Sequence, residues 1–350
     1  MRRDRFLLLI RFLHFHDNNE RDENDHLWKV RRVFTMNTKK YRQFFYPFCK
    51  VVIDETLVLF KGRLIFKQYI PSKRHRFSIK FFILCDCETG IVLDAIVYTG
   101  TPVDIPQGDP LGVSGAVVKK MMERYIGKGH ILYTDNWYTS PSLCQYLLEN
   151  MTGSCGTVRK NRKHMPKSEA RSVPGNVELQ KSGKVLAVNW HDKRDVTMLT
   201  TVHQGHMQDT DKEGHRTHER IRKPDAVIDY NGNMRLVDKS DCKLAGIECM
   251  RKCVKWYHKL FFHVVDVTML NAYNMYLVKT GKKKKKFSYN VANQLEDDVS
   301  HMVLTDSCVR TTSPDTSRNI YQTQKKDANN RDGVMYVPLQ TNVRGQEKWW

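Results

Sequence analysis

The sequence has no long apolar run. Its 350 residues hold no charge-free stretch approaching the roughly 20 residues of a membrane-spanning helix, which excludes a helical span. Acid is scarce: 38 Asp and Glu stand against 58 Lys and Arg, a formal net charge of +20. Such an excess argues for a polyanionic partner, most simply nucleic acid, because release of phosphate counterions drives that binding; a membrane surface answers to the same signature. The nine cysteines are odd in number and form no C-x-x-C pair. In a chain long enough to bury a sizeable core this speaks against a disulfide scaffold and for a reducing compartment. The N-terminus does not read as a secretory leader either. Met1-Arg2-Arg3-Asp4-Arg5 before Phe6-Leu7-Leu8-Leu9-Ile10 imitates one, but Arg11 interrupts the apolar run and no small-residue cleavage site follows. Phe6, Leu9, Ile10 and Leu13 recur at helical spacing instead.

What is present is an ordinary globular composition, 40% hydrophobic and 27% charged, in a length that suits two or three domain-sized units. Residues 1–46 read as a basic helical segment, with an acidic loop from Asp17 to Asp25 and further helix around Leu27-Trp28-Lys29-Val30-Arg31-Arg32. Val51 to Phe60 is β-branched and almost continuously apolar, as a central strand should be. Lys80 to Cys85 and Ile91 to Tyr98 flank a turn in which Gly90 can take a positive φ, the pattern of a hairpin. A helix is expected over 113–126, a short strand over Ile131 to Thr134, and a helix over Ser142 to Glu149 with Ser140 as cap and Pro141 in its first turn. Gly156 to Arg159 is a further candidate strand. Residues 161–225 are basic and irregular, with β character at Val185 to Val188 and Val196 to Val202, and read as an insertion. Residues 238–278 read as helical, with Leu260, Phe261, Val264, Val265 and Thr268 on one stripe. The polar stretch 281–350, opened by Lys282 to Lys286, reads as a disordered basic tail that serves as an import signal, a DNA tether or a plain linker. Strand, hairpin, strand, helix, strand, insertion and helix make an α/β order with a mixed sheet. The organisation expected is 1–46 helical, 47–160 first part of a core, 161–225 insertion, 226–280 second part of the core, and 281–350 tail.

The aspartates fall where chemistry would want them. Asp54 interrupts an apolar strand, Asp135 ends the strand Ile131 to Thr134, and Asp238 and Asp241 lie three apart at a helix start, on one face. A carboxylate within a buried strand is costly unless paired or metal-bound. Several carboxylates gathered together repel, and Mg²⁺ or Mn²⁺, which take hard oxygen ligands, relieve that repulsion. Two such ions roughly 3.5–4 Å apart are an apparatus for in-line attack on a phosphodiester. The blander reading stands beside this one: with 38 acidic residues some fall near strand ends by chance, and Asp238 or Asp241 can simply cap a helix.

Lys61, Arg63, Lys73, Arg74, His75 and Arg76 cluster after the first strand, and Arg159, Lys160, Arg162 and Lys163 before the insertion. These are candidate DNA-phosphate contacts, or a solvated basic face. Trp137, beside Asp135, either stacks on an unpaired base or packs in the core. His203, His206, His215 and His218 form two H-x-x-H pairs; with no cysteine nearby they read as structural or surface histidines rather than zinc ligands. Cys85 and Cys87, and Cys249 and Cys253, read as buried free thiols.

The strings around the aspartates carry a resemblance. Ile53-Asp54-Glu55, Phe60-Lys61-Gly62-Arg63, Gln68-Tyr69-Ile70-Pro71-Ser72-Lys73, Leu84-Cys85-Asp86 and Tyr98-Thr99-Gly100 resemble the piggyBac transposase family. So do Thr134-Asp135-Asn136-Trp137-Tyr138-Thr139-Ser140, Gly156-Thr157-Val158-Arg159, Asp229-Tyr230-Asn231, Trp256 to Phe262 and Asn271-Ala272-Tyr273, over about residues 2 to 278. The resemblance implies an RNase H-like catalytic core split by an insertion. It implies Asp54, Asp135 and Asp238 as a metal-binding triad with Asp241 as an accessory carboxylate. It also implies double-stranded DNA (transposon ends and a TTAA target) as substrate, a homodimer, and a nuclear setting. Some details depart from the pattern. Arg235 and Leu236 stand where two glycines are usual before the third aspartate, and Cys242 where a glutamine is usual. The match starts inside the family's N-terminal region, and the tail lacks a Cys/His-rich module, so the chain reads as shortened at the N-terminus and without that C-terminal module. Two functions therefore stand: a metal-dependent DNA transposase or a derivative domesticated from one, or a catalytically inactive transposon-derived protein that still binds DNA or a partner.

Overall fold

The computed structural model describes residues 2–281 except 72, 74–75, 102–103, 168–174, 193, 214–219 and 248–252. Ser72, Arg74, His75, His215, His218, Cys249 and the expected tail from Lys282 onward lie outside the described residues. The chain divides into two compact units. One comprises the segment up to Phe45, Asp54–Asp109 and the described chain from Leu236. The other comprises Tyr46–Ile53 and Pro110–Arg235.

In chain order the elements are α1 (Arg3–Arg11), α2 (Arg31–Phe44), β1 (Lys50–Leu59), β2 (Gln68–Tyr69), β3 (Phe77–Asp86), β4 (Val92–Val97), α3 (Gly112–Met122), β5 (Ile131–Thr134), α4 (Pro141–Glu149), β6 (Gly153–Thr157), β7 (Val177–Ser182), β8 (Val185–His191), β9 (Asp195–Thr200), β10 (Met207–Glu213), β11 (Arg220–Pro224), α5 (Asp225–Asn233), α6 (Leu236–Ile247) and α7 (Trp256–Thr280). This is the mixed α/β architecture expected from the sequence. Among the described residues no helix is long and apolar enough to cross a membrane.

In the first unit β3 lies between β2 and the later part of β1, and β4 pairs antiparallel with β3. Asp86 makes the β3–β4 turn. Its buried carboxylate accepts from the Thr89 N–H at 2.8 Å, the Thr89 hydroxyl at 2.7 Å and the Glu88 N–H at 3.1 Å, and Gly90 follows at φ +73°. Helix α2 packs on β4 and α7. The Tyr41 hydroxyl reaches Thr268 Oγ1 at 2.7 Å, and Arg31 bridges Asp25 and Asp104 at 2.5 Å each. The helix expected from Leu27 begins only at Arg31; Leu27 to Val30 form a turn in which Asp25 accepts from the Leu27 N–H.

Helix α7 differs from its predicted stripe. Leu260 and Val264 are buried, but Thr268 is exposed, and the buried face continues through Val267, Leu270, Asn271, Tyr273 and Asn274. The apolar pattern missed it because that face is partly polar. Asn271 accepts from the Val92 N–H at 2.8 Å and donates to the Val92 carbonyl at 2.9 Å, and Asn274 donates to the Gly90 carbonyl at 3.1 Å. These amides serve the edge of β4 at an irregularity in the β3–β4 register, between Leu84 and Cys85.

In the second unit the first part of β1, β5 and β6 run parallel, with Lys50 opposite Ile131 and Ile53 opposite Thr134. β9, β8 and β7 follow β6 antiparallel, so the β-rich stretch after residue 160 extends the same sheet. Val51, Val52 and Ile53 are each 0% exposed, as befits a strand covered on both faces. Helix α4 starts as its sequence signals: the Ser140 hydroxyl accepts from the Leu143 N–H with Pro141 at the first turn. β6 begins three residues before the expected Gly156. Glycine weakens a strand by pattern, yet here it allows closeness: a Cβ on Gly156 would lie 2.3 Å from Thr139 Oγ1 and 2.5 Å from the Thr134 carbonyl. β10 and β11 form a separate antiparallel hairpin.

Candidate active site

Strand β1 is where apolar continuity breaks. After Ile53 come Asp54 and Glu55, both half-buried. Alternation sends them to opposite faces. Glu55 pairs with Lys80 of β3 at 2.5 Å, while Asp54 and Thr56 share the other face. The Asp54 carboxylate accepts from the Glu55 N–H at 2.8 Å.

Helix α6 brings the second part. Asp238 lies in its first turn, and Asp241 one turn on accepts from the Thr56 hydroxyl at 3.0 Å. That bond lays the acidic face of α6 against the Asp54 face of β1. Burial, reinforced by Asp238 and opposed by Thr56 and Lys73, pushes the Asp241 carboxyl up to about 7. The wholly buried Cys85 thiol is raised first by burial and then by Asp241, Asp86 and Asp54. Three of the four predicted aspartates, Asp54, Asp238 and Asp241, therefore belong to the first unit, with Asp238 exposed. Arg235 and Leu236 do not disturb this. Among the described residues only Met151 and His164 are non-glycines at positive φ, so neither replacement position needs glycine's conformational range. Thr56 was not singled out by the sequence; its place two residues after Asp54, hence on the same face, is the signal that could have found it.

Asp135 belongs to the second unit and directly follows the Ile53–Thr134 register pair. Its loop is tightly held. Asp135 Oδ1 accepts from the Trp137 N–H at 2.9 Å, and its carbonyl accepts from the Thr139 N–H at 3.1 Å and hydroxyl at 2.8 Å. Arg162 donates to the Asn136 carbonyl at 3.1 Å and to that of Trp137. Burial, and then Arg159, lower the Arg162 guanidinium's affinity for its proton, with Asp135 opposing. Trp137 is half-buried and stands edge-on to Tyr138, ring centres 4.7 Å apart.

Of the remaining candidates, Lys61, Arg63, Lys73 and Arg76 are exposed in the first unit, and Arg159 and Lys160 in the second. Arg159 bonds the Asn136 side chain at 3.5 Å, and Lys160 pairs with Asp195 at 2.5 Å. His203 lies between Thr200 at 2.8 Å and Asp229 at 3.2 Å, and His206 faces Gln204 at 3.0 Å. Cys87 is buried and Cys253 half-buried.

The donor type, aspartate oxygens, fits a hard divalent cation. Among the described residues no three His, Cys, Asp or Glu side chains stand close enough together to hold one ion. The arrangement thus supplies donor type and charge rather than a closed coordination shell.

The aspartates on these elements can be set beside known proteins. A family model described as Transposase IS4 matches residues 1–273. The chain belongs to this transposase family. Its resemblance to piggyBac proteins holds over most of its length. It is 25% identical over 305 residues to the human piggyBac transposable element-derived protein 2, covering 79% of this chain and 49% of the relative. It is 24% identical over 289 residues to the human piggyBac transposable element-derived protein 3, covering 79% and 48%. The chain spans about half the length of these curated relatives. Its fold is that of a piggyBac transposase seen by cryo-EM in a synaptic complex with hairpin DNA, with a TM-score of 0.71 and 26% identity over 99% of this chain and 70% of that one.

Proposed function

We propose that this family member is a piggyBac-type DNA strand-cleaving and strand-transferring enzyme, or a domesticated derivative that keeps the reaction. The observation that carries the reading is the Thr56–Asp241 hydrogen bond, which holds Asp241 against the strand face that bears Asp54, with the exposed Asp238 three residues earlier on the same helix. Asp54, Asp135 and Asp238 would hold Mg²⁺ or Mn²⁺, with Asp241 as the accessory carboxylate. When bound, such ions activate water or a 3′-hydroxyl and stabilise the leaving oxygen. The chain's own residues do the rest. Thr56 orients Asp241, Arg162 and Thr139 hold the Asp135 loop, and the exposed basic residues grip phosphates. The substrate in this reading is double-stranded DNA carrying transposon ends, with TTAA as target, acted on by a homodimer in the nucleus.

The test is nicking and strand transfer on TTAA-flanked DNA with Mn²⁺, wild type against Asp54→Ala, beside calorimetric Mn²⁺ titration. Expected are metal-dependent activity and specific Mn²⁺ binding, both abolished by the substitution. Activity without metal, or activity indifferent to Asp54→Ala, would overturn the reading. A second reading is favoured by the basic excess, which suits phosphate binding without any carboxylate chemistry. In it the chain binds DNA without cutting. It predicts salt-dependent DNA affinity, no cleavage, and no change on substituting Asp54.

A further inference from the structure

Asp229, on helix α5, is a heavily bonded carboxylate of the second unit. Oδ1 accepts from Lys50 Nζ at 2.8 Å and Asn233 Nδ2 at 3.0 Å. Oδ2 accepts from the Tyr133 hydroxyl and stands 3.2 Å from His203 Nε2. The other His203 nitrogen faces the Thr200 hydroxyl at 2.8 Å. One carboxylate thereby ties together β1, β5, the segment after β9 and its own helix. The side chain is 24% exposed, and burial alone would raise its affinity for a proton. His203, Lys50 and Tyr133 outweigh burial and hold the carboxyl far below the usual carboxylate range.

The two strand partners are placed to matter. Lys50 lies four residues before Asp54 on β1, and Tyr133 two before Asp135 at the end of β5. By the period of two along a strand, Lys50 projects from the same face as Asp54, while Asp135 stands just past the end of β5. Val52 and Tyr133 are opposite one another in the parallel ladder. Asp229 thus grips β1 and β5 through residues that lead into Asp54 and Asp135. Nothing in the local sequence requires this: Asp229 sits in a helix, far along the chain from both strands.

We infer that Asp229 is a positioning residue, a clamp that fixes the parallel β1–β5 pair and so aims Asp135 and its loop. The functional consequence rests on the reading of Asp135 as a metal ligand; the clamp itself does not. Charged hydrogen bonds saturating both oxygens are the strong kind, and supporting partners of this sort tune a metal site about 10- to 100-fold.

The experiment compares the full chain with Asp229→Asn, and with Tyr133→Phe as a gentler variant that removes one hydroxyl and keeps the ring. Backbone hydrogen exchange is read over Ile131–Thr139, where Ile131 N–H bonds the Cys49 carbonyl and Thr139 N–H that of Asp135. The β7–β8 hairpin of the same unit serves as the internal control. The clamp predicts exchange at least about tenfold faster over Ile131–Thr139 in Asp229→Asn, a smaller rise at the same place in Tyr133→Phe, and an unchanged hairpin. Unchanged exchange over Ile131–Thr139, or an equal rise in the hairpin, would overturn it. In parallel, the Mn²⁺ concentration giving half-maximal cleavage is expected to rise about 10- to 100-fold in Asp229→Asn. If the wild-type chain neither binds Mn²⁺ nor cleaves DNA, the proposed function fails while the exchange measurement still decides the clamp.

Discussion

At the residue scale, the site depends on small groups that admit close approach. Gly156 is the clearest, because β6 passes so near Thr134 and Thr139 that a methyl group there has no room. Gly156→Ala is expected to cost about 1–3 kcal/mol by denaturant titration and to loosen the loop that carries Asp135. A second residue sets a pH response. His263 of α7 packs against Phe81, ring centres 5.0 Å apart, with Nε2 buried and, among the described residues, no hydrogen-bond partner. Burial, aided by Lys259, pushes it down to about 4 from 6.5. The unfolded chain therefore binds a proton that the native chain refuses. Stability from this group is complete above pH 6.5 and is lost as pH falls through 6.5 toward 4, by about 3 kcal/mol in all. His263→Phe should remove that slope, as read from denaturation midpoints between pH 4 and 7. Gly156 was visible in the sequence as a motif position, but its reason was not, because the atoms it makes room for lie on another strand and its following loop.

At the element scale, α6 and α7 show why polar contacts hide from pattern reading. The strands were legible: β1, the β3–β4 hairpin and β5 announce themselves by apolar runs and by Gly90. The capped start of α4 was legible for the same local reason. The buried face of α7 was not, since Asn271 and Asn274 count as polar in any periodicity while serving the sheet edge. Asn271→Leu leaves the Val92 N–H and carbonyl without their side-chain partners and is expected to destabilise by about 2–4 kcal/mol in chemical denaturation. The predicted helix over 238–278 comes as two, α6 and α7, so the acidic face carrying Asp238 and Asp241 belongs to its own short element.

At the scale of the whole molecule, the excess of 58 basic over 38 acidic residues would govern the DNA association proposed above. Affinity should fall with salt along a straight line in log–log form, and removing one cation that neutralises a phosphate should reduce the slope by about 0.9. Two of the basic residues expected to grip DNA near the start of the insertion, Arg159 and Lys160, should differ. Lys160 already faces Asp195 at 2.5 Å, whereas Arg159 bonds a neutral amide. Arg159→Ala is therefore expected to reduce the slope more than Lys160→Ala, as measured by fluorescence anisotropy over a salt series.

The sequence by itself determined the α/β class, the strands that begin the core, the basic character and the four aspartates. All of these follow from local period, composition and residue type, which short stretches of chain carry within themselves. Only the tertiary structure decided that Asp241 leans on Thr56, that Gly156 makes room for the Asp135 loop, and that Asp229 binds Lys50 and Tyr133 at once. Each of these joins residues tens to hundreds of positions apart. A hydrogen bond or a steric gap between such residues exists only once packing has brought them together, so no local pattern can carry it.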